Sequence, residues 1–486
     1  MNIIVCRQQS CLWNGVAVKN SLVKRLLSTS NAISKGINIA TAYPFKPAAL
    51  DHYQPRPYAR LDRISSVQRF QVRGIETDVA GWSSMHLPQV NMVISETGED
   101  GVALYWGRPG YEPRSPANIK PDDGGRFHYA WLRDNCQCPS CILESNGQKL
   151  HSSASVSSTV KPVSISVVNT NLVIEWPADS LCQSNGVPVK SEPHKSEFSI
   201  EWLQSNNYNQ QPRSPSTIRS IRWDGAYLKA CTHRVSYDEF FNHYSGLRSV
   251  IQQLHDFGIC FLTDVPTDDK RVEHLAKRMG CIQETFYGTS WDVRNEPDAS
   301  NIAYTSLYLG LHMDLMYYES PPGLQLLHCL QNNATGGEST FVDSHIAVEL
   351  LKREYPDHYK TLTKVPIMFK YQKDLHHMQY RHPTILENDQ DLGLQVYYAP
   401  QFQGPLDATP DLVLPFYEAF SVFESILNRK ELLYTTLLRP GDCAIFSNRR
   451  ILHGRQSFDP QSGVRHLKGT YISWDDFKDL VRIHLI

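Results

Sequence analysis

Short apolar segments broken by turn residues fill the second half of this chain, and they set the narrowest limits on its fold. They lie around Leu324–Leu330, Ser339–Val342, Pro366–Tyr371, Leu394–Tyr398, Cys443–Phe446 and Leu467–Ile472. Each has the length of a strand rather than of a helix. Two helical stretches, Ser344–Glu354 and Asp411–Asn428, interrupt them. Just upstream, Tyr244–Phe257 reads as a helix, Ile259–Thr263 as a strand and Asp269–Met279 as a helix. Many short strands with inserted helices favour a jelly-roll sandwich over a doubly wound parallel sheet. Neither a G-x-G-x-x-G nor a P-loop signature occurs, which removes simple dinucleotide and P-loop nucleotide binding.

Composition narrows the class further. The chain has 486 residues, and about 150 residues per domain gives about three units. Lys and Arg total 48 against 50 Asp and Glu, a balance that argues against nucleic acid or an anionic membrane surface as the main partner. No window approaches the roughly 18 apolar residues of a spanning helix. Eleven cysteines, an odd number spread over a long chain, argue for a reducing compartment rather than a disulfide framework. The expectation is a soluble, reduced, folded protein.

Residues 1–50 contain no Asp or Glu, the first acid being Asp51, yet carry Arg7, Lys19, Lys24, Arg25, Lys35 and Lys46. Asn20–Ile33 allows a short helix with Val23, Leu26 and Leu27 on one side. Basic, Ser-rich, acid-free and amphipathic is the composition of a mitochondrial transit segment, so the matrix is the expected location.

The rest divides by pattern. Short strands at Val90–Ile94, Gly101–Trp106, Val163–Val168, Asn171–Trp176 and Phe198–Trp202, with a polar loop over Ser145–Pro162, predict a small β domain over 70–205. The Pro-broken Asn206–Ser216 marks a linker over 206–218, followed by the main domain over 219–486.

Two clusters carry chemistry. Residues 136–141 read CQCPSC, placing Cys136, Cys138 and Cys141 within six positions. Zinc prefers thiolate and imidazole in a closed tetrahedral site. The fourth ligand is open by spacing alone: His128, His151, His194 and Cys182 all qualify. The alternative is three free thiols in a reduced loop. A closed zinc site has no open coordination position, so it holds a domain together rather than catalysing.

The second cluster is His312, Asp314 and His453. Among 19 histidines, only His312 has Asp at the second position after it. On an extended segment, residues i and i+2 share a face, so both side chains reach one metal. His453 lies 141 residues on, in the expected loop after a Pro440-Gly441-Asp442 turn and a strand. One carboxylate and two histidines form the facial triad of non-haem Fe(II) oxygenases. Arg465, twelve residues further, enters another strand and can grip the distal carboxylate of 2-oxoglutarate.

With these residues on the page, the chain resembles the gamma-butyrobetaine and trimethyllysine dioxygenases, Fe(II)- and 2-oxoglutarate-dependent enzymes of carnitine synthesis. The carrying segments are WLRDNCQCPSC (131–141), TFYGTSW (285–291), NIAYT (301–305), HMD (312–314), PPGLQLLHC (321–329), TGGEST (335–340), RPGDCAIF (439–446), ILHGRQSF (451–458) and RHLKGTY (465–471). The resemblance implies a β-dominated α+β protein: a double-stranded β-helix catalytic domain preceded by a zinc-bearing β domain. It makes His194, in EPHKSEF, the fourth zinc ligand beside Cys136, Cys138 and Cys141. It gives iron to His312, Asp314 and His453, and 2-oxoglutarate to Arg465 with Ser339 as a second contact. It also implies O2 as cosubstrate, ascorbate as reductant and a homodimer.

The same resemblance marks Tyr287, Trp291, Tyr304 and Tyr471, with Asn301, as the substrate site for a quaternary ammonium. N-trimethyl groups donate no hydrogen bonds, so ring faces must recognise them, at about 0.5–2 kcal/mol per cation–π contact. One departure stands out. Where the family places asparagines to reach the substrate carboxylate, this chain reads VYYAPQF (396–402), with Ala399 and Pro400. The anionic end is then left to Gln401 or a main-chain amide. The expected activity is hydroxylation of a trimethylammonium substrate, gamma-butyrobetaine first and trimethyllysine second. A quaternary-amine binding protein without catalysis is the reading from another class, against which the complete triad and Arg465 argue.

Overall fold

Two small antiparallel sheets open the part of the chain that the computed structural model describes, namely residues 92–106, 123–178, 193–209, 220–296, 301–373, 375–388 and 393–485. The acid-free segment 1–50, Cys182 and linker residues 210–218 lie outside the described residues. The first sheet runs in the order Val93–Thr97, Gly101–Tyr105, Gly124–His128, and the second Ser164–Val168, Asn171–Trp176, His194–Ser199. Their apolar residues, including Leu104, Phe127, Leu172, Trp176 and Phe198, fill one shared core.

Two expectations need correction here. The strand expected at Val90–Ile94 begins only at Val93. The strand expected over Phe198–Trp202 ends at Ser199, whose hydroxyl accepts the Trp202 N–H at 3.2 Å and starts the helix Ile200–Ser205. An N-cap serine outweighed the aromatic residues that suggested a strand.

Beyond residue 220 a sandwich forms. A six-stranded sheet has the order Trp291–Arg294, Arg465–Ile472, Leu324–Asn332, Cys443–Ser447, Ile259–Thr263, Val235–Ser236. A four-stranded sheet has the order Leu309–His312, Ile451–Arg455, Ser339–Asp343, Tyr434–Thr436. Neighbouring strands are antiparallel, except that Ile259–Thr263 pairs in parallel with Val235–Ser236. The sheets face each other: Phe341 of the smaller lies edge-on to Phe261 and Phe446 of the larger, with centroids 5.8 and 5.4 Å apart. This is the jelly-roll arrangement that the short strands predicted.

Helices back the larger sheet. Tyr244–Phe257 buries Leu247, Val250, Ile251 and Leu254, the i, i+3, i+4, i+7 stripe of an amphipathic helix. Gly258 stops it at φ +74°, a left-handed position that a side chain disfavours, and hands the chain to strand Ile259–Thr263.

A long insertion follows Asp343 and packs its own apolar cluster around Tyr317, Leu351, Phe416 and Phe423. It contains helices Ser344–Glu354, Pro356–Lys364 and Pro410–Leu427 and the hairpin Pro366–Lys373 with His376–Pro383. The strand expected over Leu394–Tyr398 is shorter, Gly393–Val396. Among the described residues, no helix is long and apolar enough to cross a membrane.

Candidate active site

His312 is the last residue of strand Leu309–His312, and the chain then turns so that Asp314 leaves the sheet. Two bonds fix this turn: Met313 N–H to the Tyr398 carbonyl at 2.8 Å, and Asp314 N–H to the Asn448 side-chain oxygen at 2.8 Å. His453 lies not in a loop, as the sequence suggested, but inside strand Ile451–Arg455. The apolar pair Ile451-Leu452 ahead of it is fully buried and belongs to the sheet. In the antiparallel register His453 stands directly opposite His312, with ring centroids 4.2 Å apart.

The three side chains converge. Asp314 Oδ1 is 3.4 Å from His312 Nε2 and 4.0 Å from His453 Nε2. Both separations are below the ~4.2 Å that two metal–ligand bonds of about 2.1 Å can span. His312 Nδ1 donates to the Gly310 carbonyl at 2.9 Å, which leaves Nε2 with its lone pair toward the cluster. Tyr471 donates its hydroxyl to Asp314 Oδ2 at 2.7 Å and so occupies the outer carboxylate oxygen. Burial alone would raise the Asp314 carboxyl, but His312, His453 and the Tyr471 hydroxyl around it hold it well below the usual carboxylate range. Burial, with His312 alongside, pushes the His453 imidazole down to about 3, so it is neutral and able to ligate. Two imidazoles, one ionised carboxylate and a buried setting suit a divalent iron ion.

Two cavities meet at this cluster. One is lined by Tyr287, Trp291, Tyr304, Tyr317, Phe402 and Tyr471 along with His312 and Asp314. Trp291 and Tyr471 stack with centroids 4.1 Å apart. Asn301 accepts the Ala303 N–H at 3.0 Å, capping the short turn Ile302–Tyr304 that carries Tyr304, and donates to the Tyr287 hydroxyl at 3.3 Å. Burial pushes the Tyr287 hydroxyl up to about 12 and Tyr304 higher still, so both rings are neutral. All five residues that the sequence assigned to the substrate therefore line one space. The sequence did not single out Tyr317 and Phe402, which also line it; nothing but position in the fold distinguishes them from core aromatics.

The other cavity is lined by Ser339, Gln325, Leu327, Arg455 and Arg465 together with His312, Asp314 and His453. Arg465 is buried, and among the described residues it makes one hydrogen bond, from Nε to the Gly337 carbonyl at 3.3 Å, with the rest of its guanidinium facing the cavity. Burial lowers the Arg465 and Arg455 guanidinium groups to about 10, with each still protonated at neutral pH. Arg455 was missed. Its signal was available, because a residue two positions after His453 on one strand shares its face.

Ala399 does not reach the aromatic cavity: it is 1% exposed and packs in the apolar cluster around Tyr398. Gln401 lines the cavity instead.

Far along the chain, Cys136, Cys138, Cys141 and His194 come together. His194 Nε2 lies 3.2, 3.6 and 3.5 Å from the three sulfurs in turn. A tetrahedral zinc with bonds near 2.3 Å to sulfur and 2.05 Å to nitrogen separates such atoms by about 3.6 Å. The hydrogen bond with Cys141 and burial push the Cys136 thiol up to about 11, while the same bond holds Cys141 down. Crowded thiols of this kind suit a cation. Of the three candidates among the described residues, His194 is the one beside the sulfurs; His151 instead faces Asp134 at 3.5 Å.

Residues 225–471 match the family model described as taurine catabolism dioxygenase TauD, TfdA family. The chain belongs to this family of dioxygenases. Residues 118–187 match a second model, gamma-butyrobetaine hydroxylase-like, N-terminal. Among named relatives, the oxygenase is 35% identical to dioxygenase str8 of Strobilurus tenacellus, over 74% of this chain and 85% of that one. It is 32% identical to gamma-butyrobetaine dioxygenase of Pseudomonas sp. (strain AK-1), over 72% and 88% of the two chains. It is 31% identical to the mitochondrial trimethyllysine dioxygenase of Bos taurus, over 74% and 82%. The chemistry of this oxygenase is therefore that of the iron, 2-oxoglutarate and O2 family.

Proposed function

We propose that this oxygenase hydroxylates a trimethylammonium compound in the mitochondrial matrix, gamma-butyrobetaine to L-carnitine being the leading reaction. The observation that carries the reading is the meeting of an aromatic cavity and an arginine-bearing cavity at His312 and Asp314. His312, Asp314 and His453 would hold the iron, and Arg465 with Ser339 the 2-oxoglutarate. Bound iron supplies the activation of O2, which converts 2-oxoglutarate to succinate and CO2 and places one oxygen atom on the substrate carbon.

The chain's own residues do the rest. Tyr287, Trp291, Tyr304 and Tyr471 present ring faces to a cation that forms no hydrogen bonds. The tyrosine hydroxyl groups stay neutral, so a cation meets uncharged ring faces, which favour it over a neutral isostere. Holding the amine there places a neighbouring carbon next to the metal residues, which is positioning rather than bond chemistry. Asn301 and Gln401 are the amides left for a substrate carboxylate.

Zinc held by Cys136, Cys138, Cys141 and His194 would stabilise the N-terminal domain over 70–205, linked through 206–218 to the oxygenase domain over 219–486. Residues 1–50 would serve import, ascorbate would keep the iron reduced, and the assembly would be a homodimer. Trimethyllysine is the second reading, supported by the 31% identity to the mitochondrial relative.

The test is succinate release by the Fe(II)-loaded chain with 2-oxoglutarate and ascorbate, comparing gamma-butyrobetaine, trimethyllysine and the neutral isostere 5,5-dimethylhexanoate. Strong stimulation by one trimethylated amine and little by the isostere is expected. Steady 2-oxoglutarate turnover that no trimethylated amine stimulates would assign the pocket to another substrate.

A further inference from the structure

Segment 301–308 borders both cavities: Asn301, Ile302 and Tyr304 line the aromatic one, and Ala303 lines both. The segment has little structure of its own beyond the turn Ile302–Tyr304, and Leu307 and Tyr308 at its far end are 62% and 53% exposed. Three of its carbonyls are held by one side chain. Arg455 donates from Nη1 to the Ala303 carbonyl at 2.9 Å and from Nη2 to the Thr305 and Leu307 carbonyls at 2.6 and 2.8 Å. Two main-chain bonds, Glu296 N–H to the Tyr304 carbonyl at 2.9 Å and Phe458 N–H to the Ser306 carbonyl at 3.1 Å, add to these.

Arg455 also belongs to the other cavity. It is buried, and its Nε has no hydrogen-bond partner. Its guanidinium lies 5.2 Å from the Phe458 ring centroid, and that of Arg465 lies 5.9 Å from the same centroid. Among the described residues, neither arginine has a carboxylate within ion-pair distance. Two buried like charges thus share one ring at the wall of the cavity. A dianion in that cavity offsets their repulsion, and in its absence the repulsion works against the hydrogen bonds that hold segment 301–308.

We propose that Arg455 is a positioning residue coupling the two cavities: a dicarboxylate bound beside Arg465 fixes the Arg455 guanidinium, and that guanidinium fixes the segment presenting Asn301 and Tyr304 to the amine. The proposal rests on the reading of the Arg465 cavity as the 2-oxoglutarate site. It makes the cosubstrate the ligand that completes the amine site, and by linkage the amine tightens the cosubstrate by the same factor.

The test is amide hydrogen exchange in peptides covering 301–308, measured on the full chain loaded with Fe(II) without O2, with and without 2-oxoglutarate. Binding of 2-oxoglutarate is followed separately by calorimetry. In the wild type, saturating 2-oxoglutarate is expected to slow exchange in this segment about fivefold or more. In Arg455→Lys, 2-oxoglutarate should still bind through Arg465, while the segment exchanges fast whether or not it is present. Unchanged exchange in a wild type that binds 2-oxoglutarate overturns the coupling without needing any variant. Full protection in Arg455→Lys overturns the role of Arg455. A wild type that fails to bind 2-oxoglutarate overturns the cosubstrate reading itself, an outcome that calorimetry alone identifies.

Discussion

The Tyr471 hydroxyl donates to Asp314 Oδ2 at 2.7 Å while the Tyr471 ring stacks on Trp291, so one side chain serves both the metal cluster and the aromatic wall. Occupying Oδ2 leaves Oδ1 to face the imidazoles of His312 and His453. A hydrogen bond to a buried charged group contributes about 1.5–3 kcal/mol, and partners of metal ligands typically govern affinity by about 10–100-fold. Tyr471→Phe keeps the ring and removes only the hydroxyl. Its Fe(II) affinity should fall about tenfold or more, with the metal-free protein losing about 1.5–3 kcal/mol of stability; equal iron titrations for the two proteins would discard this account.

Aromatic recognition predicts a charge-selective loss. Tyr304→Leu and Tyr287→Leu retain much of the apolar area but remove the ring quadrupole, so KM for gamma-butyrobetaine should rise by the equivalent of about 0.5–2 kcal/mol. Inhibition by 5,5-dimethylhexanoate should change far less. Parallel losses for the charged and neutral ligands would mean that the rings provide only packing.

For the cysteine cluster the expected consequence is structural. Metal analysis should find one zinc per chain, lost in Cys138→Ser together with about 4 kcal/mol or more of stability. Iron loading at His312, Asp314 and His453 should persist in whatever fraction stays folded. Zinc-free protein that melts normally would remove the metal from this site.

Two buried histidines away from the metal cluster give a pH signature. Burial lowers His328 and His382 to about 4, below the ordinary ~6.5 of an unfolded chain. The unfolded state therefore binds more protons between these values. Stability is fully present above about pH 6.5 and falls toward pH 4, by up to about 1.4 kcal/mol per pH unit for each histidine. Urea denaturation at about pH 7 and about pH 5 should show the fall, and His328→Gln should flatten its slope. A wild-type stability independent of pH over that range is the contrary result.

The oxygenase domain was legible where apolar patterning is strong: helices Tyr244–Phe257 and Ser344–Glu354 and strand Ile259–Thr263 have the boundaries that their pattern suggests. The hairpin strand His376–Pro383 was not, since mostly polar exposed residues such as Gln379 and Arg381 carry no hydrophobic alternation. Helix Trp474–His484 is amphipathic, with Phe477 and Val481 buried and Trp474 and Leu480 packed beside them, but its apolar stripe is short and broken by five charged residues. In the site, His312 and Asp314 follow from local spacing, whereas their meeting with His453 depends on a pairing across 141 positions that only the fold supplies. Tyr317 and Gln401 enter the aromatic cavity through the turn after His312 and the segment after Gly393–Val396, and neither turn has a periodic signature.

The anionic end of the substrate gives the last prediction. Sequence comparison pointed to Ala399 as the place of a missing asparagine, and restoring it was the natural experiment. The structure changes the expected outcome. Ala399 is 1% exposed among Tyr398 and its apolar neighbours, so Ala399→Asn buries an amide without a partner and should cost about 1–3 kcal/mol of stability. It should not lower KM. Gln401 lines the cavity, and its amide nitrogen lies 3.5 Å from the Gly310 carbonyl, a long contact that a carboxylate can outcompete. A hydrogen bond from this amide to a charged carboxylate is worth about 1.5–3 kcal/mol. Gln401→Ala should therefore raise KM for gamma-butyrobetaine by roughly tenfold or more, with kcat little changed, because the bond forms in ground and transition states alike. Choline-like amines that lack the carboxylate should be insensitive to the change. If Gln401→Ala leaves KM unaltered while Ala399→Asn lowers it without loss of stability, the substrate carboxylate lies at the Ala399 side and the assignment to Gln401 fails.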